Sequence, residues 1–213
     1  MTTIAIIDYG IGNIQSIVNS LIAVGATPIV TRDSADILSA QGIILPGVGA
    51  FGEGMANLRK YQLIPIIFEA VRKEKSILGI CLGMQLLFQE SEEFGHHLGL
   101  GLIEGCVKKL PSQPGEKLPH VSWNQLYPPT SERWAHSIFQ ESVPGIDMYF
   151  VHSFAAYPHH KADILSETPY GDTFFCSSVQ RGTILGCQFH PEKSGPAGLT
   201  VLRNFVQIVT LRN

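Results

Sequence analysis

Apolar and polar positions in the first hundred residues fall into two alternating rhythms. Residues 3–8, "TIAIID", make an apolar run of strand length. In "NIQSIVNSLIAVG" (13–25) the apolar residues then recur at helical spacing, with Ile14, Ile17, Val18, Leu21 and Ile22 on one face and Gly25 as the stop. "TPIVT" (27–31) and "GIIL" (42–45) read as strands, "LIPIIFEAVRKE" (63–74) as a helix and "SILGI" (76–80) as a further buried strand. Alternation of this kind predicts an α/β protein: a mostly parallel central sheet flanked by helices. From Gly105 the pattern changes to strands broken by turn residues: "CVKKL", "HVSWNQLY", "MYFVHSF", "DTFFCSSV" and "TILGCQF", with a closing helix over about 198–209. These predict antiparallel additions to the same sheet in the C-terminal half. No repeat, low-complexity tract or long linker divides the chain, which predicts a single domain over 1–213; residues 111–118 and 128–133 read as exposed loops.

Composition narrows the class. With 15 basic against 18 acidic residues, a formal net charge of -3 and a pI near 6.2, nothing calls for a nucleic-acid partner. The short basic runs Arg72–Lys75 and Lys108-Lys109 read as solvated faces. No stretch reaches the roughly 18 apolar residues of a membrane span and no basic leader opens the chain, so a soluble, cytoplasmic protein without membrane attachment is expected. Four cysteines without a CxxC pair suit a reducing compartment, and Cys106, Cys176 and Cys187 read as small buried hydrophobes. The pairs His96-His97 and His159-His160 are adjacent, and adjacent side chains share neither a helix face nor a strand face, so no metal site is expected.

The fourth cysteine is different. In "GICLGMQLLF" (79–88), Cys81 stands between Gly79 and Gly83 where a strand gives way to a helix-like run, the shape of a Gly-x-Ser-x-Gly nucleophile elbow with sulfur in place of oxygen. The glycines relieve crowding at a strained turn, and free helix amides favour a thiolate. The plain alternative is a buried cysteine between two helix-packing glycines. "GCQFHPEKS" (186–194) offers what a nucleophile needs, a base and a group to orient it. If Cys187–Phe189 is a strand ending at the sheet edge, residues two apart face one side, and His190 and Glu192 turn toward one site. The plain alternative is a polar loop that exposes both. "LPGVGAFGEGM" (45–55) follows a strand with four glycines that let the backbone approach a ligand. Its match to Gly-x-Gly-x-x-Gly at 47–52 lacks an acidic partner at a strand end, Glu69 falling inside a helix, and the dinucleotide reading is rejected there. Gly10 and Gly12, with Gln15 at the third position and Asp33 downstream, read as a tight strand-to-helix turn.

Six segments together resemble the class I (triad) glutamine amidotransferases and, within them, the glutaminase subunits of imidazole glycerol phosphate synthases: "IIDYGIGNIQS", "LPGVGAFGEGM", "GICLGMQLLFQESEE", "LPHVSWNQL", "YFVHSF" and "GCQFHPEKSG". The resemblance spans essentially the whole chain and implies a flavodoxin-like class I amidotransferase fold. It implies Cys81 as nucleophile, His190 as base and acid, and Glu192 as the residue orienting the imidazole. The amide of Leu82 would be one oxyanion donor, with a second from the Val48-Gly49 loop. Gly49, Gln85, Glu93, Ser153 and Phe154 would hold L-glutamine, although Glu93 also reads as one of several acids in a solvated "ESEE" run. No cofactor is implied. The implied partner is a cyclase subunit with a (β/α)8 barrel that receives ammonia in histidine biosynthesis, and Trp123, Asn124, Tyr149 and Lys193 match positions near that interface. By composition alone Trp123 could equally be core. Ser122 replaces the glycine of a "PHMGWN" segment common in this group; a need there for a positive φ or for close approach would alter docking. Two alternatives stand beside this one: a paralogue with the same glutamine chemistry that feeds another synthase, such as a surface-polysaccharide amidation enzyme, and a non-catalytic flavodoxin-like nucleotide-binding protein.

Overall fold

The computed structural model describes residues 1–111 and 117–212. The first half alternates: β1 (Thr3–Ile7), α1 (Ile14–Ala23), β2 (Thr27–Thr31), α2 (Ser34–Ser39), β3 (Gly42–Leu45), α3 (Phe51–Lys60), α4 (Leu63–Arg72) and β4 (Ser76–Ile80), of which α2 and α3 are helices the apolar pattern does not mark. The pairs β1–β2, β1–β3 and β3–β4 are all parallel. Successive strand residues face opposite sides, and both sides are apolar: Ile4, Ile6, Leu78 and Ile80 join one core, and Ala5, Ile7, Ile43, Leu45 and Ile77 the other. Gly10 and Gly12, at φ +84° and +132°, make the turn from β1 into α1.

Beyond β4 come α5 (Leu82–Leu86), β5 (Phe88–Ser91), β6 (His97–Leu98), β7 (Ile103–Lys109), β8 (His120–Leu126), β9 (Ile146–His152), β10 (Phe154–Pro158), β11 (Ile164–Tyr170), β12 (Thr173–Arg181), β13 (Ile184–Cys187) and α6 (Gly195–Arg212). The large sheet has eleven strands, in the order β2-β1-β3-β4-β13-β12-β10-β7-β5-β6 with β11 added beside β12. The last strand of the chain, β13, inserts parallel to β4 and antiparallel to β12.

Several expectations need correction. Most of "HVSWNQLY" and "MYFVHSF" does not join the main sheet: β8 and β9 form a separate two-stranded ribbon, His120 opposite His152, while Tyr127 bridges to Glu167 of β11 and Phe154 opens β10. The apolar run after Cys81 is helical only to Leu86, because Phe88 pairs with Ile103 as a strand. Half of the glycine-rich segment 45–55 is helix α3, where Gly52 and Gly54 give room for neighbours: a Cβ on Gly52 would lie 2.7 Å from the His97 ring, and one on Gly54 3.2 Å from Leu86. The closing helix is longer than 198–209, and the 128–133 segment is turns, as expected. Of the other expected loop, 111–118, residues 112–116 lie outside the described residues. Among the described residues no helix is long and apolar enough to cross a membrane.

Candidate active site

The β4–α5 corner is forced by packing on both sides of Cys81. A Cβ on Gly83 would lie 1.9 Å from the carbonyl oxygen of Leu45, and one on Gly79 2.6 Å from that of Gly83, so neither position accepts a side chain without moving backbone. Cys81 takes φ +53° and ψ -110°, a conformation that costs a non-glycine residue on the order of 1–3 kcal/mol and persists where its surroundings over-determine it. Its N–H donates to the carbonyl of Cys187 at 2.7 Å, which ties the turn to β13. Leu82 opens α5 directly beside it, with an amide that has no partner within the helix's first turn.

His190 and Glu192 meet, but not by extended alternation. β13 lies inside the sheet, not at its edge, and a single 3-10 turn over Pro191–Lys193 carries Glu192 back beneath the imidazole. Nδ1 of His190 lies 2.8 Å from a Glu192 carboxylate oxygen, with both side chains 1% exposed. A carboxylate can only accept here, so Nδ1 carries the proton and Nε2 is the nitrogen left for chemistry. Burial pulls the imidazole toward its neutral form, yet the Cys81 sulfur and the Glu192 carboxylate outweigh it and raise the pKa to about 10. Nε2 has no hydrogen bond of ordinary geometry. The sulfur thus acts on the ring from a loose placement, as in many ligand-free sites. The backbone of this turn is bolted to the ribbon: the His190 N–H donates to the Tyr149 carbonyl at 3.0 Å, and the Ser194 hydroxyl joins the His190 carbonyl (2.7 Å) to the Tyr149 N–H (3.0 Å).

Cys81 opens into a cavity of ≈ 320 Å³ lined by Val48, Gly49, Leu82, Gln85, Glu93, Ser153 and Phe154, together with Val151, His152 and Lys193. Every expected glutamine-binding and oxyanion position therefore faces the cavity that holds Cys81. Glu93 is half-buried; burial raises its pKa, against the Phe51 N–H and the charge of His97, and that N–H lies 2.7 Å from its carboxylate. The carboxylate so caps α3, whose own capping residue Ala50 has no side chain able to do it.

Of the four expected interface residues, three share one surface. The Trp123 and Tyr149 rings lie 5.9 Å apart and the Lys193 ammonium 5.9 Å from the Tyr149 ring; Trp123 is 52% exposed, so it is not core. Asn124 points to the opposite face of β8, where its oxygen lies 2.9 Å from His120 Nε2. Ser122 sits in regular register opposite Phe150 and needs no positive φ. The adjacent histidine pairs diverge, His96 to Glu90 and His160 to Glu104. Among the described residues no group of three or more His, Cys, Asp or Glu side chains converges as metal ligands do. All four cysteines are free; Cys176 and Cys187 are buried as expected, Cys106 only partly so.

Sequence reasoning missed Gln188, Val151 and His152. Gln188 is fully buried between Cys187 and Phe189, its Nε2 3.7 Å from the Cys81 sulfur and its oxygen 3.0 Å from Gln85 Nε2. A lone carboxamide in an otherwise apolar run, just past the end of β13 and two residues before His190, was the available signal. His152 gave no such signal. Its place beside Cys81 depends on how β9 docks, which local pattern does not report.

The glutamine amidotransferase class-I family model matches residues 5–209. The chain is 46% identical to imidazole glycerol phosphate synthase subunit HisH of Moorella thermoacetica, across 98% of this chain and 96% of the relative. It is 42% identical to the same subunit of Thermosynechococcus vestitus, across 97% of each. Two solved structures share the fold: a glutamine amidotransferase (TM-score 0.74, 17% identity, 97% of this chain and 98% of that one) and PurLQS from Thermotoga maritima (TM-score 0.74, 19% identity, 97% and 98%). A cysteine elbow facing a buried His–Glu pair, on a fold and a sequence shared so completely, makes this chain a member of the class-I glutamine amidotransferase family.

Proposed function

We propose that this protein is the glutaminase subunit of an imidazole glycerol phosphate synthase, a single amidotransferase domain over 1–213 that hydrolyses L-glutamine to L-glutamate and ammonia. The observation that carries it is the His190–Glu192 pair, buried and hydrogen-bonded at 2.8 Å, on the turn that follows β13, the strand beside that of the strained Cys81. The near-full-length similarity to HisH subunits supports the pathway.

The chemistry follows from the charges. With its pKa near 10, His190 is an imidazolium at neutral pH, the countercharge a thiolate needs. The Cys81 thiolate attacks the γ-carboxamide carbon. The oxyanion so formed is held by the Leu82 amide and by a second amide from the Val48-Gly49 loop. Collapse breaks the C–N bond as His190 Nε2 gives its proton to the departing ammonia, leaving a γ-glutamyl thioester. The now neutral imidazole takes a proton from water, whose oxygen attacks the thioester, and glutamate leaves as the thiolate and imidazolium are restored. Gln85, Ser153, Phe154 and Gly49 hold the substrate, and Glu93 meets its α-ammonium group. No step calls for a cofactor.

Ammonia passes to a cyclase subunit, HisF, with a (β/α)8 barrel, in a heterodimer that makes imidazole glycerol phosphate and aminoimidazole carboxamide ribotide for L-histidine synthesis in the cytoplasm. Trp123, Tyr149 and Lys193 form its docking face, with Asn124 contributing from behind β8. The test is glutamate release from glutamine by the purified chain, alone and with its organism's cyclase subunit and that subunit's nucleotide substrate, Cys81→Ala serving as the blank. Strong stimulation, absent in the blank, is the expected result. Activity retained in Cys81→Ala would overturn the chemistry, and no stimulation by an active cyclase would reassign the chain to another synthase.

A further inference from the structure

Besides His190, two polar groups neighbour the Cys81 sulfur, and each can be given a direction, starting from a group that has no choice. The carbonyl oxygen of Phe154 can only accept, and it lies 2.9 Å from the Gln85 carboxamide, which must turn its NH2 that way. The same NH2 lies 3.0 Å from the Gln188 carboxamide, which must therefore present its oxygen to Gln85. Gln188 is left with its own NH2 toward the sulfur, at 3.7 Å. On the other side the sulfur meets the Val151 carbonyl at 3.9 Å, an acceptor that suits a thiol and not a thiolate. Gln188 is fully buried, and its backbone N–H is fixed to the Ser177 carbonyl at 2.9 Å, so the carboxamide has no water to turn to and little freedom to withdraw.

We propose that Gln188 is a further residue of the glutaminase machinery: its N–H donates to the Cys81 sulfur, favours the thiolate over the thiol, and aims that thiolate into the cavity. Gln85 has a second task, because it sets which end of Gln188 faces the sulfur. Its two N–H groups go to Phe154 and Gln188, so it offers a ligand its oxygen. This inference rests on the reading of Cys81 as nucleophile, and a readout that needs no glutamine keeps the two separable.

The experiment is alkylation of Cys81 by iodoacetamide as a function of pH, followed by peptide mass so that the other three cysteines do not contribute, on the wild-type chain and on Gln188→Met and Gln85→Met. Loss of a donor to a charged acceptor should raise the alkylation midpoint by about one pH unit, which is about tenfold less thiolate below the midpoint. Gln188→Met should also lower kcat with little change in KM. Gln85→Met should move the midpoint in the same direction, since it frees Gln188 to turn. A wild-type midpoint in both variants overturns the proposal, and so does a wild-type midpoint in Gln85→Met alone if Gln188→Met does not fold. A shifted midpoint in a chain without any glutaminase activity would uphold the role of Gln188 toward sulfur while overturning the function proposed above.

Discussion

Two buried histidines stand near Cys81, His152 in the wall of its cavity and His190 on the turn after β13, and they are held in opposite charge states. His190 faces a carboxylate and a sulfur, and its pKa rises to about 10; His152 faces a second histidine and a backbone carbonyl, and its pKa falls to about 3. Burial is the largest single influence on each and pulls both toward neutrality; at His190 the sulfur and the carboxylate together outweigh it, whereas at His152 the charges of His120 and His190 add to it. The difference therefore lies in the partners. Nδ1 of His152 gives its proton to the Phe154 carbonyl at 2.9 Å, so its Nε2, 3.1 Å from His120 Nδ1, can only accept. Of the two rings near Cys81, one is built to store a proton and the other to refuse one.

The largest test removes the carboxylate. Glu192→Gln should leave the Cys81 sulfur alone to oppose burial at His190, bring its pKa down from about 10, and lower glutaminase kcat by about 10²-fold or more. Stability should change with it. A histidine whose folded pKa is raised from 6.5 to about 10 contributes stability that is complete below pH 6.5 and lost as pH rises through 10. Urea titrations across that window should show an alkaline decline in wild type that is flattened in Glu192→Gln.

His152 has the opposite sign. Its depressed pKa contributes stability that is complete above pH 6.5 and lost as pH falls toward 3. Between pH 6.5 and 5 that loss should amount to about 2 kcal/mol, and His152→Gln, which keeps hydrogen bonding but cannot titrate, should lack it. An acid limb unchanged in His152→Gln would mean that the ring is protonated at no cost, and the contrast between the two sides would fail. The smallest effect is expected one step outward. Burial lowers the His120 pKa and the bond to Asn124 partly restores it, so Asn124→Leu should lower it further, by less than about one unit, in an NMR titration of the ring.

How much of this could be read in the chain depended on how local each feature is. The Cys81 corner was legible because strand, two glycines and helix lie within a few residues, and the demand that the glycines meet, room for the Leu45 and Gly83 carbonyls, is almost independent of the rest of the fold. The parallel half was legible because β1, β3 and β4, buried on both faces, read as nearly unbroken apolar runs. α3 was not, since Gly52 and Gly54 lower helix propensity at positions where only the packing of His97 and Leu86 explains them. The ribbon of β8 and β9 was assigned to the wrong sheet because both strands look alike locally and differ only in what they pair with. Gln188 was passed over for a related reason. It lies just past the end of β13, and its approach to the Cys81 sulfur depends on how β13 docks beside β4, which no local pattern reports.

The insertion of β13 beside β4 has a consequence for synthesis. As the chain leaves the ribosome, the Cys81 turn emerges about ten seconds before its neighbouring strand, at typical elongation rates. Throughout that interval β4 is an open edge, able to pair with whatever strand it meets. Until then Cys81 lacks the buried His190–Glu192 pair beside it, so its thiol meets the cell's oxidants and electrophiles without that imidazolium, and the pairing of the two waits for the strand that closes the sheet.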